Sequence, residues 1–188
     1  MRKRQVAVLL ADGFEEIEAV TIIDVLRRAG VPTVLAGVGN VPVAKGAHAI
    51  DLAVEVDVER LMPEDFAAVI LPGGMPGAQN LAESRAVKRL LRDVHKNGAL
   101  VAAICAAPIA LAAAGLLNGR RVTSYPSVRE KLGKSEHTGK AVEKDGRVLT
   151  GSGPGTALEF AYAIVSELGM EDKAEELRAA MLAPRLGS

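Results

Sequence analysis

The sequence predicts an α/β fold in which a doubly wound, mostly parallel sheet lies between layers of helices. Three observations predict it: aliphatic runs of strand length recur along the chain, helical segments with capping residues alternate with them, and turn residues mark the joins. At 188 residues the chain reads as one domain, 1–188, large enough to bury roughly 70% of the surface its unfolded form would expose. No repeat and no long linker divides it.

Residues 6–11 form the first strand, and Asp12-Gly13 turns the chain into a helix from Glu15 to Ala29 that Gly30 ends. The first turn of that helix is acidic, as the macrodipole favours, so Glu15 and Glu16 read as solvated or dipole-pairing carboxylates. Glu18 differs, because Ile17, Ala19 and Val20 surround it with apolar positions, and it shares a face with Glu15. Residues 31–38 give the second strand, and 41–56 alternate as a small hairpin does. Met62-Pro63-Glu64-Asp65 breaks the pattern before the third buried strand, 67–71, which ends in Pro72-Gly73-Gly74-Met75-Pro76-Gly77. Asn80 with Glu83 has capping-box spacing for a helix reaching Lys96, stopped by Asn97-Gly98.

Residues 100–104 are five apolar positions suited to a parallel strand covered on both faces. A helix beginning around Ala106 follows, with Pro108 in its first turn and alanines after it. Residues 121–125 read as a further strand, and Ser127 with Glu130 as the cap of a short helix. Asp145-Gly146, between 141–144 and 147–150, is a two-residue hairpin signal. Thr156 and Glu159 form another capping box, opening a helix to Leu168. The last helix, 171–182, puts Ala174, Leu177 and Met181 on one face.

Composition excludes several classes. With 23 basic and 23 acidic residues the formal charge is zero, and aromatics are 3%, so neither a nucleic-acid surface nor base stacking is expected. A single cysteine rules out an intrachain disulfide and fits a reducing compartment. The opening Met-Arg-Lys-Arg is followed by about six apolar residues before Asp12, too few for a secretory h-region of roughly 7–15, and no run reaches the roughly 18 of a spanning helix. The expected location is cytoplasmic, with no membrane partner.

The candidate reactive group is Cys105. Unpaired cysteines are commonly inert core, but this one stands where a buried strand meets a helix, the geometry of a nucleophile elbow at the ligand-binding edge of an open sheet. Helix N–H groups there favour a thiolate. The paired glycines Gly73-Gly74 allow backbone N–H groups to approach an oxyanion, or serve only as a tight turn. Neither glycine-rich loop has a nucleotide-binding pattern. His48, His95 and His137 lack ligand spacing, and His95, near a helix C-terminus, reads as a dipole partner; neither metal nor cofactor is expected.

Four motifs in order, Ala11-Asp-Gly-Phe-Glu-Glu-Ile-Glu18, Leu71-Pro-Gly-Gly-Met-Pro-Gly-Ala-Gln-Asn-Leu81, Ala102-Ala-Ile-Cys-Ala-Ala-Pro108 and Gly153-Pro-Gly-Thr156, resemble the DJ/PfpI superfamily, most closely its Parkinson-disease-protein branch of protein deglycases, which are glyoxalase III-like. The resemblance spans about residues 5–182. It implies a flavodoxin-like α/β/α sandwich of the class I glutamine amidotransferase-like type, a homodimer, and an oxidation-sensitive nucleophilic cysteine paired with a glutamate. Carried across, these are Cys105 and Glu18, with oxyanion or pocket contacts from Gly73, Gly74, Ala106, Tyr125, Gly153 and Pro154. The resemblance places dimer contacts at Asp24 on the first helix, with the position of its basic partner falling at Ala47 or His48. The implied substrates are methylglyoxal and glyoxal, or their early adducts on side chains; the implied alternative is a redox sensor or chaperone-like stress protein. Ala106 replaces the His of proteolytic members, which counts against a peptidase or amidase. Tyr125 replaces a His of several deglycases, and a phenol with a pKa near 10 is a poor base at neutral pH.

A free thiol with pKa about 8.5 is only a few per cent ionised at neutral pH. An ionised Glu18 beside it would oppose the thiolate. The expected pair therefore shares one proton, with Cys105 as thiolate and Glu18 as acid.

Overall fold

The computed structural model describes residues 5–184, so the opening Met1-Arg-Lys-Arg lies outside the described residues. The first half of the chain runs β1 (Gln5–Leu10), α1 (Glu16–Arg28), β2 (Thr33–Gly37), β3 (Val43–Ala44), β4 (Leu52–Ala53), β5 (Val56–Asp57), β6 (Phe66–Leu71), α2 (Gly77–Glu83) and α3 (Arg85–Lys96). The second half runs β7 (Leu100–Ile104), α4 (Pro108–Ala113), β8 (Arg121–Val122), β9 (Glu136–His137), β10 (Val142–Asp145), β11 (Val148–Gly151), α5 (Ala157–Glu167) and α6 (Glu171–Ala180).

Seven strands form the main sheet in the order β10-β11-β7-β6-β1-β2-β5, parallel except for β10 against β11. The central strands are aliphatic throughout, because a parallel strand is covered on both faces; Val6 to Leu10 and Leu100 to Ile104 are fully buried. From β1 the chain steps one way to β2 and then returns to β6 on the other side of β1. Right-handed crossovers in opposite directions place helices on opposite faces. Accordingly α1 packs on α5 and α5 on α6, while α2 and α3 pack on α4. The reversal between β1 and β6 opens a crevice beyond their C-terminal ends, the place where open α/β sheets take ligands. The fold is the α/β, mostly parallel, flavodoxin-like arrangement the sequence predicts.

Several local expectations are corrected. The hairpin within 41–56 is present as β3 against β4, but Val56–Asp57 leaves it to become the edge strand β5, two residues being too short to register as a run. The helix reaching Lys96 is broken at Ser84, whose hydroxyl caps α3 by accepting the Val87 N–H (3.3 Å). The Asn80–Glu83 box does not form: Asn80 Nδ2 donates to the Asp12 carbonyl (3.0 Å), and Glu83 accepts from Gln79 (2.7 Å). The strand at 121–125 shortens to Arg121–Val122 and pairs with β9 outside the main sheet. Ser127 and Glu130 cap nothing, since Pro126–Leu132 is a 3₁₀ helix without a side-chain cap. The Thr156 hydroxyl closes locally on Gly153, accepting its N–H (3.3 Å) and donating to its carbonyl (2.9 Å), while Glu159 pairs with Arg178 (2.6 Å). The Asp145-Gly146 hairpin forms as expected, and α6 buries Ala174 and Leu177.

Candidate functional site

β7 delivers Cys105 to the sheet edge in a left-handed backbone conformation, φ 62°. A non-glycine residue held there stores about 1–3 kcal/mol and persists only where its surroundings fix it. Three hydrogen bonds do so: Cys105 N–H donates to the Gly151 carbonyl (2.9 Å), Tyr125 N–H to the Cys105 carbonyl (2.8 Å), and Ala107 N–H to the Ile104 carbonyl (3.0 Å). The strained elbow is therefore present. Its side chain is less open than the elbow geometry predicts, 8% exposed, because the Gly73-Gly74 loop and Glu18 close over it. A Cβ on Gly73 would stand 2.7 Å from both Cys105 Cβ and Glu18 Oε2, so only glycine permits this approach.

Glu18 projects from α1, fully buried, and its carboxyl stands next to the thiol, close enough for the two to perturb each other. Gly73 N–H donates to its Oε2 (2.7 Å), whereas Oε1 is buried without a partner. Glu15 caps the helix by accepting the Glu18 N–H (2.7 Å), and its own N–H donates to the Gly73 carbonyl (2.9 Å), tying helix to loop. Burial pushes the Glu18 carboxyl up to about 7, against the opposing Gly73 N–H. Burial, then the charge and hydrogen bond of an ionised Glu18, push the Cys105 thiol up to about 12, while the N–H groups of Ala106 and Gly74 favour its anion. The thiolate therefore depends on whether Glu18 carries the proton.

Two site expectations change. Gly73 N–H serves Glu18, which leaves Gly74 and Ala106 as the donors facing sulfur. The helix after Cys105 starts at Pro108 and is six residues long, so these loop N–H groups, not a macrodipole at Ala106, supply the positive end. Tyr125 is 47% exposed, and its ring flanks Gly153, where an added Cβ would lie 3.5 Å from Tyr125 Cδ2. Pro154 opens the 3₁₀ turn after Gly153. Through Gly151 and Tyr125 this loop borders the Cys105 backbone, but it makes no hydrogen bond to the sulfur.

Asp24 and His48 have partners in their own chain. Asp24 pairs with Arg28 (2.7 Å), and His48 Nδ1 meets Glu16 Oε2 (2.8 Å). Glu16 is buried rather than solvated, because the 46–50 loop folds over it and donates the N–H groups of His48 and Ile50. Glu15, Glu16 and His48 bring ligand atoms within 4.8 Å of one another, a set able to hold a cation; here Glu16 is occupied by the loop. His95 is no cationic dipole partner: burial and then the charge of Arg120 hold its pKa below the ordinary value, and Arg120 Nη2 donates to its Nε2 (3.3 Å). His137 Nε2 accepts the Ser124 N–H (3.1 Å), securing the residue before Tyr125, a role its spacing could not reveal.

The resemblance carried by the motifs extends to whole sequences and structures. Residues 4–167 match the model of the DJ-1/PfpI family. The Parkinson disease protein 7 homolog of Danio rerio is 41% identical over 97% of this chain and 98% of its own. The "Glutathione-independent glyoxalase DJR-1.2" of Caenorhabditis elegans is 37% identical over 94% of each. The crystal structure of Drosophila melanogaster DJ-1beta superposes with a TM-score of 0.91 at 37% identity, covering 97% of this chain and 100% of that one. A strained cysteine beside a buried glutamate, on this topology and with these relatives, establishes that the chain belongs to the DJ-1/PfpI family.

Proposed function

We propose that the protein is a cysteine-dependent, cofactor-independent enzyme that converts methylglyoxal or glyoxal, or their early adducts, with Cys105 as nucleophile and Glu18 as its proton donor. The observation that carries this reading is the buried Glu18 Oε1 without a partner beside the thiol. Moving the proton from sulfur to Oε1 gives that oxygen a hydrogen to donate. It also removes two of the three influences that raise the thiol and leaves the negative charge facing Gly74 and Ala106 N–H.

Thiolate attack on the aldehyde carbon of methylglyoxal gives a hemithioacetal whose oxygen takes the Glu18 proton, while the Gly74 and Ala106 N–H groups hold the developing charge. Glu18, now a carboxylate, carries the proton from that carbon to the neighbouring carbonyl oxygen, giving an enediol, and then carries the proton of the first hydroxyl to the second carbon, which restores a C=O beside sulfur. The resulting thioester is hydrolysed by water to lactate and free Cys105. Methylglyoxal plus water thus gives lactate with no change in overall oxidation state. The 8% exposure of Cys105 favours a two- or three-carbon dicarbonyl over a glycated protein side chain.

The same closed sulfur favours a second reading, a redox sensor in which a small oxidant reaches the thiolate and Glu18 hydrogen-bonds the added oxygens. The exposed Ile17, Val20 and Ile50 form an apolar face on α1 and the adjoining 46–50 loop that a second copy would cover, with Asp24 and His48 at its margin. The deciding experiment is lactate formation from methylglyoxal. Wild type turns over and Cys105→Ala does not under the enzyme reading; absence of turnover in wild type, with Cys105 still oxidised, supports the sensor.

A further inference from the structure

The outer face of α3 carries Arg85, Lys88, Arg89 and Arg92 at helical spacings i, i+3, i+4 and i+7, and all four line one cleft of ≈ 520 Å³ with Glu59 and Ala86. The opposite face of the helix, Val87, Leu90, Leu91 and Val94, is buried. Among the described residues none of the four cleft cations makes an ion pair; Lys45, Arg60, Lys96, Arg129, Lys131 and Lys134 make none either, but they do not share a cleft as these four do. Carboxylates are near: Glu83 and Asp93 flank the stripe in the chain, and in space so do Glu59 on the 3₁₀ turn Val58–Arg60 and Glu64 and Asp65 on the 3₁₀ turn Pro63–Asp65, both of which pack on α3. None of them pairs with the cleft. Like charges three and four residues apart oppose helix formation, so the stripe is locally unfavourable unless an anion neutralises it.

The geometry points to a second binding site here, remote from Cys105, for an oligophosphate: two or more linked phosphate groups, free or attached to a small molecule. Three arginine forks suit bidentate contact with phosphate oxygens, and Lys88 adds a point charge. From Arg85 to Arg92 the stripe spans about 10 Å, longer than one tetrahedral anion and matched to a chain of them. The lining has no aromatic side chain and only Ala86 as an apolar wall, so recognition rests on charge and not on a stacked base. Glu59 is the one carboxylate in the lining and disfavours nothing but direct phosphate contact at that rim; a ligand hydroxyl would donate to it.

Calorimetric titration of the full chain with inorganic triphosphate tests the site. The expected result is saturable one-to-one binding that weakens with salt, falls by about tenfold or more in Lys88→Glu/Arg89→Glu, and is retained or tightened in Glu59→Gln. A milder Lys88→Ala/Arg89→Ala variant, with circular dichroism to verify folding, should fall between wild type and the charge reversal. Absence of saturable binding, or equal binding by the charge-reversed and wild-type chains, overturns the proposal. Tighter binding of a hexaglutamate peptide than of triphosphate, with the same dependence on Lys88 and Arg89, also overturns it and assigns the stripe to an acidic protein segment.

Discussion

At the scale of single residues the site is a contest over one proton between two buried acids. Replacing Gly73 by alanine puts a methyl group 2.7 Å from both Cys105 Cβ and Glu18 Oε2, with backbone at 2.9 Å behind it, so neither acid keeps its place. The expected outcome is a stability loss of about 1–3 kcal/mol in denaturant unfolding and loss of lactate formation that no increase in substrate restores. The pH profile of the rate follows from the same pair. Under the proposed mechanism activity needs one proton, on Glu18, and none on Cys105; a second proton quenches the thiolate on the acid side, and loss of the shared proton removes the acid on the alkaline side. A bell-shaped profile measured with methylglyoxal checks this, and a profile that only rises with pH contradicts it.

At the scale of elements, α1 is joined to the loop after β3 by the Glu16–His48 clasp. Burial raises the Glu16 carboxyl, but hydrogen bonds from His48 and the loop outweigh it and hold the group below its ordinary value; the Glu16 hydrogen bond and charge raise His48. A depressed carboxylate stabilises above its unfolded value and loses that contribution as pH falls through its folded one. A raised histidine stabilises fully below its unfolded value and loses the contribution as pH rises through its folded one. The clasp is therefore firmest between about pH 4.3 and 6.5 and loosens on either side. Protection factors of the His48 and Ile50 amides, which remove the intrinsic base-catalysed rise of exchange with pH, should be highest in that window, and Glu16→Ala should lower them there. The sequence made α1 legible through its caps and periodicity, but not this clasp, since Glu16 and His48 lie 32 positions apart. The placement of Cys105 at a strand-to-helix elbow and of Glu18 as a buried acid was legible because both are local patterns. The allocation of Gly73 N–H to Glu18 was not, because it joins the ends of β6 and α1 across the sheet edge. Capping boxes failed for a related reason: Asn80, Glu83 and Glu159 each found a partner outside the helix start their spacing suggested.

At the scale of the whole molecule, the order of strands decides where chemistry can occur. Reversal between β1 and β6 brings the ends of β1, β6 and β7 side by side, and the groups following them, Glu18, Gly73-Gly74 and Cys105, converge without any long loop. The doubly wound layering was legible from alternation, as was a strand beginning at Arg121, whereas the edge place of β5 and the pairing of β8 with β9 were not, because two-residue strands owe their place to neighbours. The apolar face at Ile17, Val20 and Ile50 predicts a dimer by sedimentation, and Val20→Glu with Ile50→Glu should yield a folded monomer. The central claim is that Glu18 holds the shared proton, and ultraviolet thiolate absorbance followed against pH in wild type and Glu18→Gln tests it most directly. The account predicts a Cys105 thiolate already present at neutral pH and a titration that moves upward, by roughly one unit, when the carboxylic acid becomes a weaker amide donor. A wild-type thiol that stays protonated to strongly alkaline pH and titrates lower in Glu18→Gln would show that Glu18 is an anion repelling the sulfur, and would contradict it.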